Sequence, residues 1–185
     1  MGKNKEIIVD LRKLRIRDNV LDLCYKGKGV IYRALKDIEA ESNKEAAVTS
    51  GRLYKKDDCG FIYGNPSDLP FEDDSFDTVT AFFSLSYIER KYKRNKTIKE
   101  IKRVLKDKGR LYIWDIKRGI FNFSYKQKIR AIIPDGESIL MDTGQNIVDH
   151  AYSINTILPV VKWYFKIAYV KDLNEYFYIE AEKNI

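Results

Sequence analysis

At 185 residues, 44% apolar and 33% charged with a formal net charge of +7, the chain has the make-up of a soluble globular protein, with room for one domain (1–185) and too little for two. No stretch reaches the roughly 18 uninterrupted apolar residues of a membrane helix, and residues 1–6 are polar, without the apolar core of a secretion signal. Cys24 and Cys59 stand far apart without metal-ligand neighbours, which reads as two thiols in a reducing cytoplasm and argues against a disulfide framework or a zinc site.

Ile7, Ile8, Leu11 and Leu14 fall at helical spacing, so residues 5–15 are expected to form an amphipathic leading helix. Residues 20–24 are a short apolar run with one acid, suited to a buried strand. A glycine-bearing loop, residues 25–29, follows. Val30, Ile31, Ala34, Leu35 and Ile38 then recur at helical spacing, so strand, glycine loop and helix open a parallel α/β sheet. Residues 45–50 and 60–63 read as the second and third strands. The connection at 51–59 is too polar and short for much of a helix. Residues 78–83 are β-branched and aromatic enough for a buried fourth strand.

Ile98, Ile101, Val104 and Leu105 define one face of a helix, ended by Lys106, Asp107, Lys108 and Gly109. Residues 110–115 form the fifth strand. Beyond it two hairpins are expected, one over 138–153 around Asp142, Thr143 and Gly144, the other over 163–182 around residues 171–174, where aromatic and polar residues alternate.

Between Arg90 and Arg118 thirteen Lys or Arg residues face three acids, Glu100, Asp107 and Asp115. Such an excess can recruit nucleic acid, but a solvated helix face explains it more simply. The thirteen tyrosines would suit base stacking, yet most fall on expected strands, where packing accounts for them. The loop Lys26-Gly27-Lys28-Gly29 lacks the spacing and the Lys-Ser/Thr ending of a P-loop.

Three segments carry a family resemblance: residues 20–23 before the glycine loop, residues 64–89, and residues 100–113. The second is the most informative. It runs Gly64-Asn65-Pro66-Ser67-Asp68-Leu69-Pro70-Phe71, then an acidic turn (Glu72, Asp73, Asp74, Ser75), then Phe76-Asp77 and the fourth strand. At this spacing the chain resembles a class I S-adenosylmethionine-dependent methyltransferase, closest to the small-molecule branch that includes quinone-biosynthesis enzymes, with a degenerate glycine loop. The resemblance covers roughly residues 19–116. It implies an α/β fold: a doubly wound, mostly parallel seven-stranded, Rossmann-like sheet with a C-terminal antiparallel hairpin.

By that resemblance S-adenosylmethionine is the cofactor. Asp22 helps hold its amino group, with Cys24, Gly27 and Gly29 in the loop beside it. Asn65 lies near the adenine amino group, Pro66 and Ser67 line the adenine, and Phe83 lies below the sulfonium. Tyr87, His150 and Tyr152 would line the pocket of a small-molecule acceptor. Taken on their own chemistry, Asp22 is equally a loop-capping acid, Asn65 a turn residue before Pro66, and His150, the single histidine, a structural residue. The acidic turn reads as an exposed loop, and Asp68 and Asp77 as turn residues bonding local backbone.

Two features depart from the family pattern. The loop runs Cys24-Tyr25-Lys26-Gly27-Lys28-Gly29, without the first glycine and with one residue more. The second strand ends in Thr49-Ser50, where the family has an acid for the ribose hydroxyls. These departures leave a second reading open, a non-catalytic protein on the same fold that acts through a binding partner. No catalytic residue and no metal ligand set is identifiable.

Overall fold

The computed structural model describes residues 6–14, 16, 19–24, 29–36, 45–50, 61–88, 90–117, 124–134, 136–146 and 152–184. The first element is not a helix but a strand, β1 (Ile7–Asp10), with Ile7 and Val9 buried and Ile8 and Asp10 exposed. Ile7, Val9 and Leu11 satisfy the period of a strand as well as Ile7, Leu11 and Leu14 satisfy that of a helix. A partner strand elsewhere in the chain decides between them.

The next elements follow the expected order. β2 (Val20–Cys24) is buried along its whole length and leads through Gly29 into α1 (Val30–Lys36). β3 (Glu45–Ser50), β4 (Phe61–Gly64) and β5 (Phe76–Phe82) come next. A short 3-10 turn, Leu85–Tyr87, precedes α2 (Lys91–Val104), which passes directly into β6 (Leu105–Ile116). Gly109 therefore does not cap the helix. The left-handed residue of this turn is Lys108 (φ 60°), and glycine is needed one position later because a Cβ there would stand 2.7 Å from the Lys106 carbonyl oxygen.

β7 (Ser124–Ile132) and β8 (Ser138–Asn146) then form a hairpin that reverses at residues 133–137. The reversal is made by Ile133 N donating to Glu137 O and by Gly136 at φ 92°. The hairpin expected around residues 142–144 is thus replaced, because those residues lie inside β8. β1 adds to β7 in parallel, giving a small sheet of order β1-β7-β8.

α3 (Ile154–Tyr164) was not expected from the sequence, although Ile154, Ile157 and Val161 carry its buried stripe and Thr156 Oγ1 accepts from Ser153 N at its start. Trp163 consequently ends a helix instead of opening a strand. The last hairpin is β9 (Phe165–Asp172) and β10 (Tyr176–Lys183), as anticipated, with its turn at residues 173–175 and Lys171 and Asp172 of the expected turn still in β9.

The main sheet has seven strands in the order β4-β3-β2-β5-β6-β10-β9. Four adjacent pairs are parallel and two, β6 with β10 and β10 with β9, are antiparallel, so the sheet is mixed, with the antiparallel C-terminal hairpin that the resemblance implied at one end. The final hairpin returns the chain beside β6 after only a tight turn, which a parallel neighbour does not permit. Crossovers run one way from β2 and the opposite way from β5, and right-handed connections then put α1 and α2 on opposite faces. α3 packs beside α2 against β9 and β10. One apolar cluster joins Leu21, Val79, Ile98, Ile113 and Phe177 of the main sheet to Ile7, Val9, Ile129 and Met141 of the small one.

Candidate active site at the carboxyl ends of β2 and β5

Strand order reverses between β2 and β5, since β2 is followed outward by β3 and β4 and β5 by β6 on the other side. In open α/β sheets that crevice is where ligands sit. At this end of the sheet stand Asp22 and Cys24 of β2, Gly29 before α1 and Phe83 to Tyr87 after β5, with Asn65 to Ser67 farther out, after the edge strand β4. Gly27 and His150 lie outside the described residues, as do Tyr25, Lys26 and Lys28.

Gly29 has φ 38°, in the left-handed region that favours glycine, and turns the chain into α1. Asp22 is fully buried. Its Oδ2 accepts from the backbone N of Tyr32 at 3.1 Å and its Oδ1 from Thr80 Oγ1 at 2.8 Å, and Ile31 N also donates to it. The carboxylate thus ties the first turn of α1 to β2 and β5. Burial pushes its pKa up to about 6, against the pull of those donors. Cys24 is a buried thiol. The register places Thr49 of β3 beside Cys24 and Ser50 beside Gly64, so neutral hydroxyl residues occupy the end of β3.

Asn65 opens a tight turn in which its Oδ1 accepts from Ser67 N at 3.1 Å and Ser67 Oγ at 2.8 Å, while Asp68 N donates to Asn65 O. Its geometry is that of an Asx-type turn, which buries Ser67 and leaves Pro66 half-buried. Two residues of α2 brace the segment that follows. Glu100 Oε2 accepts from Leu69 N at 3.0 Å, and Arg103 donates to the carbonyls of Leu69 and Phe71, to Asp73 and to Glu100. Arg103 in turn holds the Glu100 carboxyl below its ordinary pKa.

The acidic turn is exposed, as expected, and its two central residues are tied by ion pairs, Asp73 to Arg103 and Asp74 to Lys183 at 2.6 Å. Asp77 is structural, but through distant partners and not the local backbone expected: its Oδ2 accepts from Asn19 N and Nδ2 and from Lys106 Nζ. Removing the brace by Arg103→Ala is expected to cost about 2 kcal/mol, since several charge-assisted bonds are lost at a site less than a third exposed. Urea unfolding checks this, and a loss within about 0.5 kcal/mol would show that the loop holds itself.

Phe83 ends β5 in a left-handed conformation, φ 50°, which is strained for an aromatic residue and persists because its N donates to Trp114 O at 2.7 Å. Its ring is fully buried between Phe82 and Tyr176. The next residue, Ser84, is 8% exposed, and among the described residues its Oγ has no hydrogen-bond partner. An orphaned hydroxyl beside the crevice is the kind of group a bound polar ligand satisfies.

Sequence reasoning missed Asp115. It is fully buried at the end of β6, where Oδ2 accepts from Ser86 N at 2.9 Å and from Tyr152 Oη at 3.0 Å, and Oδ1 from Ile116 N at 2.8 Å. Burial raises its pKa to about 6. The signal for it was an acid inside the otherwise apolar run Leu111 to Ile116.

Tyr152 itself is fully buried, its hydroxyl committed to Asp115 and its ring beneath the Arg94 guanidinium at 5.3 Å. Tyr87 is half-buried and shares a hydrogen bond with Thr143 of β8, which fastens the small sheet over this end of the site. Of the basic stretch, Lys91, Lys93, Lys96 and Lys99 form the exposed face of α2, whereas Arg94 is buried and bonds the Ile88 carbonyl. No helix among the described residues is long and apolar enough to cross a membrane.

A family model described as "Methyltransferase domain" matches residues 27–113. The sterol 4-C-methyltransferase strm-1 of Caenorhabditis elegans is 36% identical over 78 residues, 42% of this chain and 22% of that protein. A demethylmenaquinone methyltransferase of Thermotoga maritima is 36% identical over 107 residues, 54% of this chain and 44% of that protein. The match thus spans less than half the length of either relative. Among solved structures, an S-adenosylmethionine-dependent methyltransferase from Methanosarcina mazei superposes with a TM-score of 0.59 at 19% identity, over 93% of this chain and 95% of that one. Strand order, family match and these likenesses agree: over residues 27–113 the chain is similar to the methyltransferase domain family, and its fold is that of S-adenosylmethionine-dependent methyltransferases.

Proposed function

We propose that this protein transfers the methyl group of S-adenosylmethionine to a small-molecule acceptor. The observation that carries the proposal is that the left-handed Gly29 and the orphaned Ser84 hydroxyl follow β2 and β5, the strands between which the order reverses, with the Asn65 to Ser67 turn after β4 at the same end of the sheet. In this reading the loop from Cys24 through Gly27 to Gly29 lies along the methionyl part. Asp22 positions that loop by holding the start of α1. Asn65, Pro66 and Ser67 border the adenine, Phe83 walls the centre, and Ser84 bonds a polar group of the ligand. When bound, the cofactor supplies an electrophilic methyl group, so the chain's part is to align the acceptor and keep water out.

Tyr87 and His150 are proposed for the acceptor side. Tyr152 supports Ser86 from beneath through Asp115. A small, quinone-like acceptor is in keeping with the demethylmenaquinone relative, whose name describes that protein. The chain is proposed to act as one methyltransferase-like domain in the cytoplasm. The shared apolar cluster supports the first part and the buried Cys24 thiol the second. The non-catalytic alternative is not favoured, since the relatives are named as methyltransferases.

The test is thermal unfolding with and without S-adenosylhomocysteine. A ligand at about 100 times its dissociation constant adds roughly 2.7 kcal/mol, a rise of several degrees at this size. No rise at any soluble concentration would overturn the proposal.

A further inference from the structure

On the face of the main sheet that carries α1, the helix packs on β2, β3 and β5 and stops short of the last three strands. Over β6, β10 and β9 the cover is instead β1 and the residues after it, and between them lies a groove of about 710 Å³, within the range of small-molecule sites. Strand register lays its floor in two rows: Tyr112, Glu180 and Tyr169 in one, Trp114, Tyr178 and Lys171 in the next. Tyr112 stacks on Trp114 with centroids 6.0 Å apart and planes 20° apart. Trp114 meets Tyr178 at 4.9 Å, and Tyr178 meets Tyr169 at 6.0 Å. The result is a continuous ladder of rings across three strands, with Tyr169 half exposed at its open end.

Charge sets what such a floor would hold. Both carboxylates of the groove are already taken: Glu180 accepts from Arg110 at 3.0 Å and from Tyr178 Oη, and Asp10 accepts from Arg12 at 2.7 Å. The exposed Lys13, after β1, and the exposed Lys171, at the β9 end of the second floor row, remain, and neither carries an ion pair among the described residues. Rings below and two cations at the rim suit a ligand with a π-face and a negative charge. We infer that this groove is a second binding site, distinct from the crevice at β2 and β5, for a flat aromatic anion of the size of an aryl carboxylate or aryl phosphate.

The proposal needs no methyl transfer, so its failure and that of the methyltransferase reading are separable. Trp114 and Trp163 are the two tryptophans, and Trp163 is 82% exposed on α3, so Trp163→Phe leaves Trp114 as reporter. Titration with 2-naphthoate is expected to saturate the Trp114 fluorescence change, with a dissociation constant on the order of 0.1–1 mM for so small a ligand. Tyr169→Ala and Lys171→Glu, both at exposed positions, are each expected to weaken it about tenfold. Neutral 2-naphthamide and the non-aromatic cyclohexanecarboxylate should bind more weakly than 2-naphthoate, and the midpoint rise given by S-adenosylhomocysteine should be the same in both variants. A signal that does not saturate, equal affinity in the wild type and both variants, or equal affinity for the three probes would overturn the inference.

Discussion

Replacing Asp22 with alanine is expected to cost about 3 kcal/mol of folding stability and to abolish S-adenosylhomocysteine binding. Three donors lose their acceptor at once: Tyr32 N, Ile31 N and Thr80 Oγ1, around a side chain that is only 1% exposed. Leaving buried donors unsatisfied costs more than the net worth of the bonds themselves. The cost is moderated because the carboxylate is an unfavourably buried charge, as its pKa of about 6 records. Binding is lost with it because Asp22 fixes where α1 begins, and Gly29 immediately precedes that point. Asp22→Asn keeps an oxygen for Thr80 but turns an amide NH2 towards the N–H groups of α1, so it should be intermediate in both measurements. Urea unfolding reads the first effect and the ligand-induced midpoint rise the second. An alanine variant that binds with unchanged affinity would mean that the loop keeps its shape without Asp22.

Between pH 4 and 7, Asp115→Asn should gain roughly 2 kcal/mol relative to the wild type. The native pKa of Asp115, about 6, lies above the ordinary 3.8, with burial as the leading cause. A carboxyl raised in this way binds more protons in the folded than in the unfolded chain between those two values. Its stabilising contribution is therefore complete below pH 3.8 and is lost as pH rises through about 6. The variant has no such group, so its stability should not fall over that window on this account. A fixed cost, from an amide that cannot accept from Ser86, Tyr152 and Ile116 together, offsets the variant by the same amount at every pH.

The comparison isolates Asp115 because Asp22, raised in the same direction, is present in both proteins. Glu100, held low by Arg103, is also present in both and acts in the opposite sense at acid pH. Urea unfolding of the two proteins across this range gives the difference directly. A difference independent of pH would show that Asp115 titrates at its ordinary value.

Where a segment's own pattern sufficed, sequence and structure coincide. β2, the glycine turn at Gly29 and α1, the buried β5, the apolar stripe of α2 and the alternation across β9 and β10 each draw on residues close in the chain. Their periods admit one solution. The Gly64 to Tyr87 segment carried the family for the same reason: its turn, acidic loop and strand are local structures. Residues 7–11 fit two periods, and their strand exists because Ile7 finds Ile129 of β7, far along the chain. β8 runs straight through Asp142, Thr143 and Gly144 because the reversal is made earlier, at Gly136.

The site divides along the same line. Which residues stand at strand ends was legible from the order of strands and loops. Which of them are already occupied was not. Asp22 is taken by Thr80 and α1, Asn65 by Ser67, and Tyr152 by Asp115, all through partners that only packing brings near. The sequence by itself determined the family resemblance, the order of the strands that build the crevice and the residue types around it. Tertiary structure alone decided which polar atoms are satisfied from within, because a buried donor or acceptor is answered by whatever lies within about 3 Å, and that distance has no counterpart along the chain.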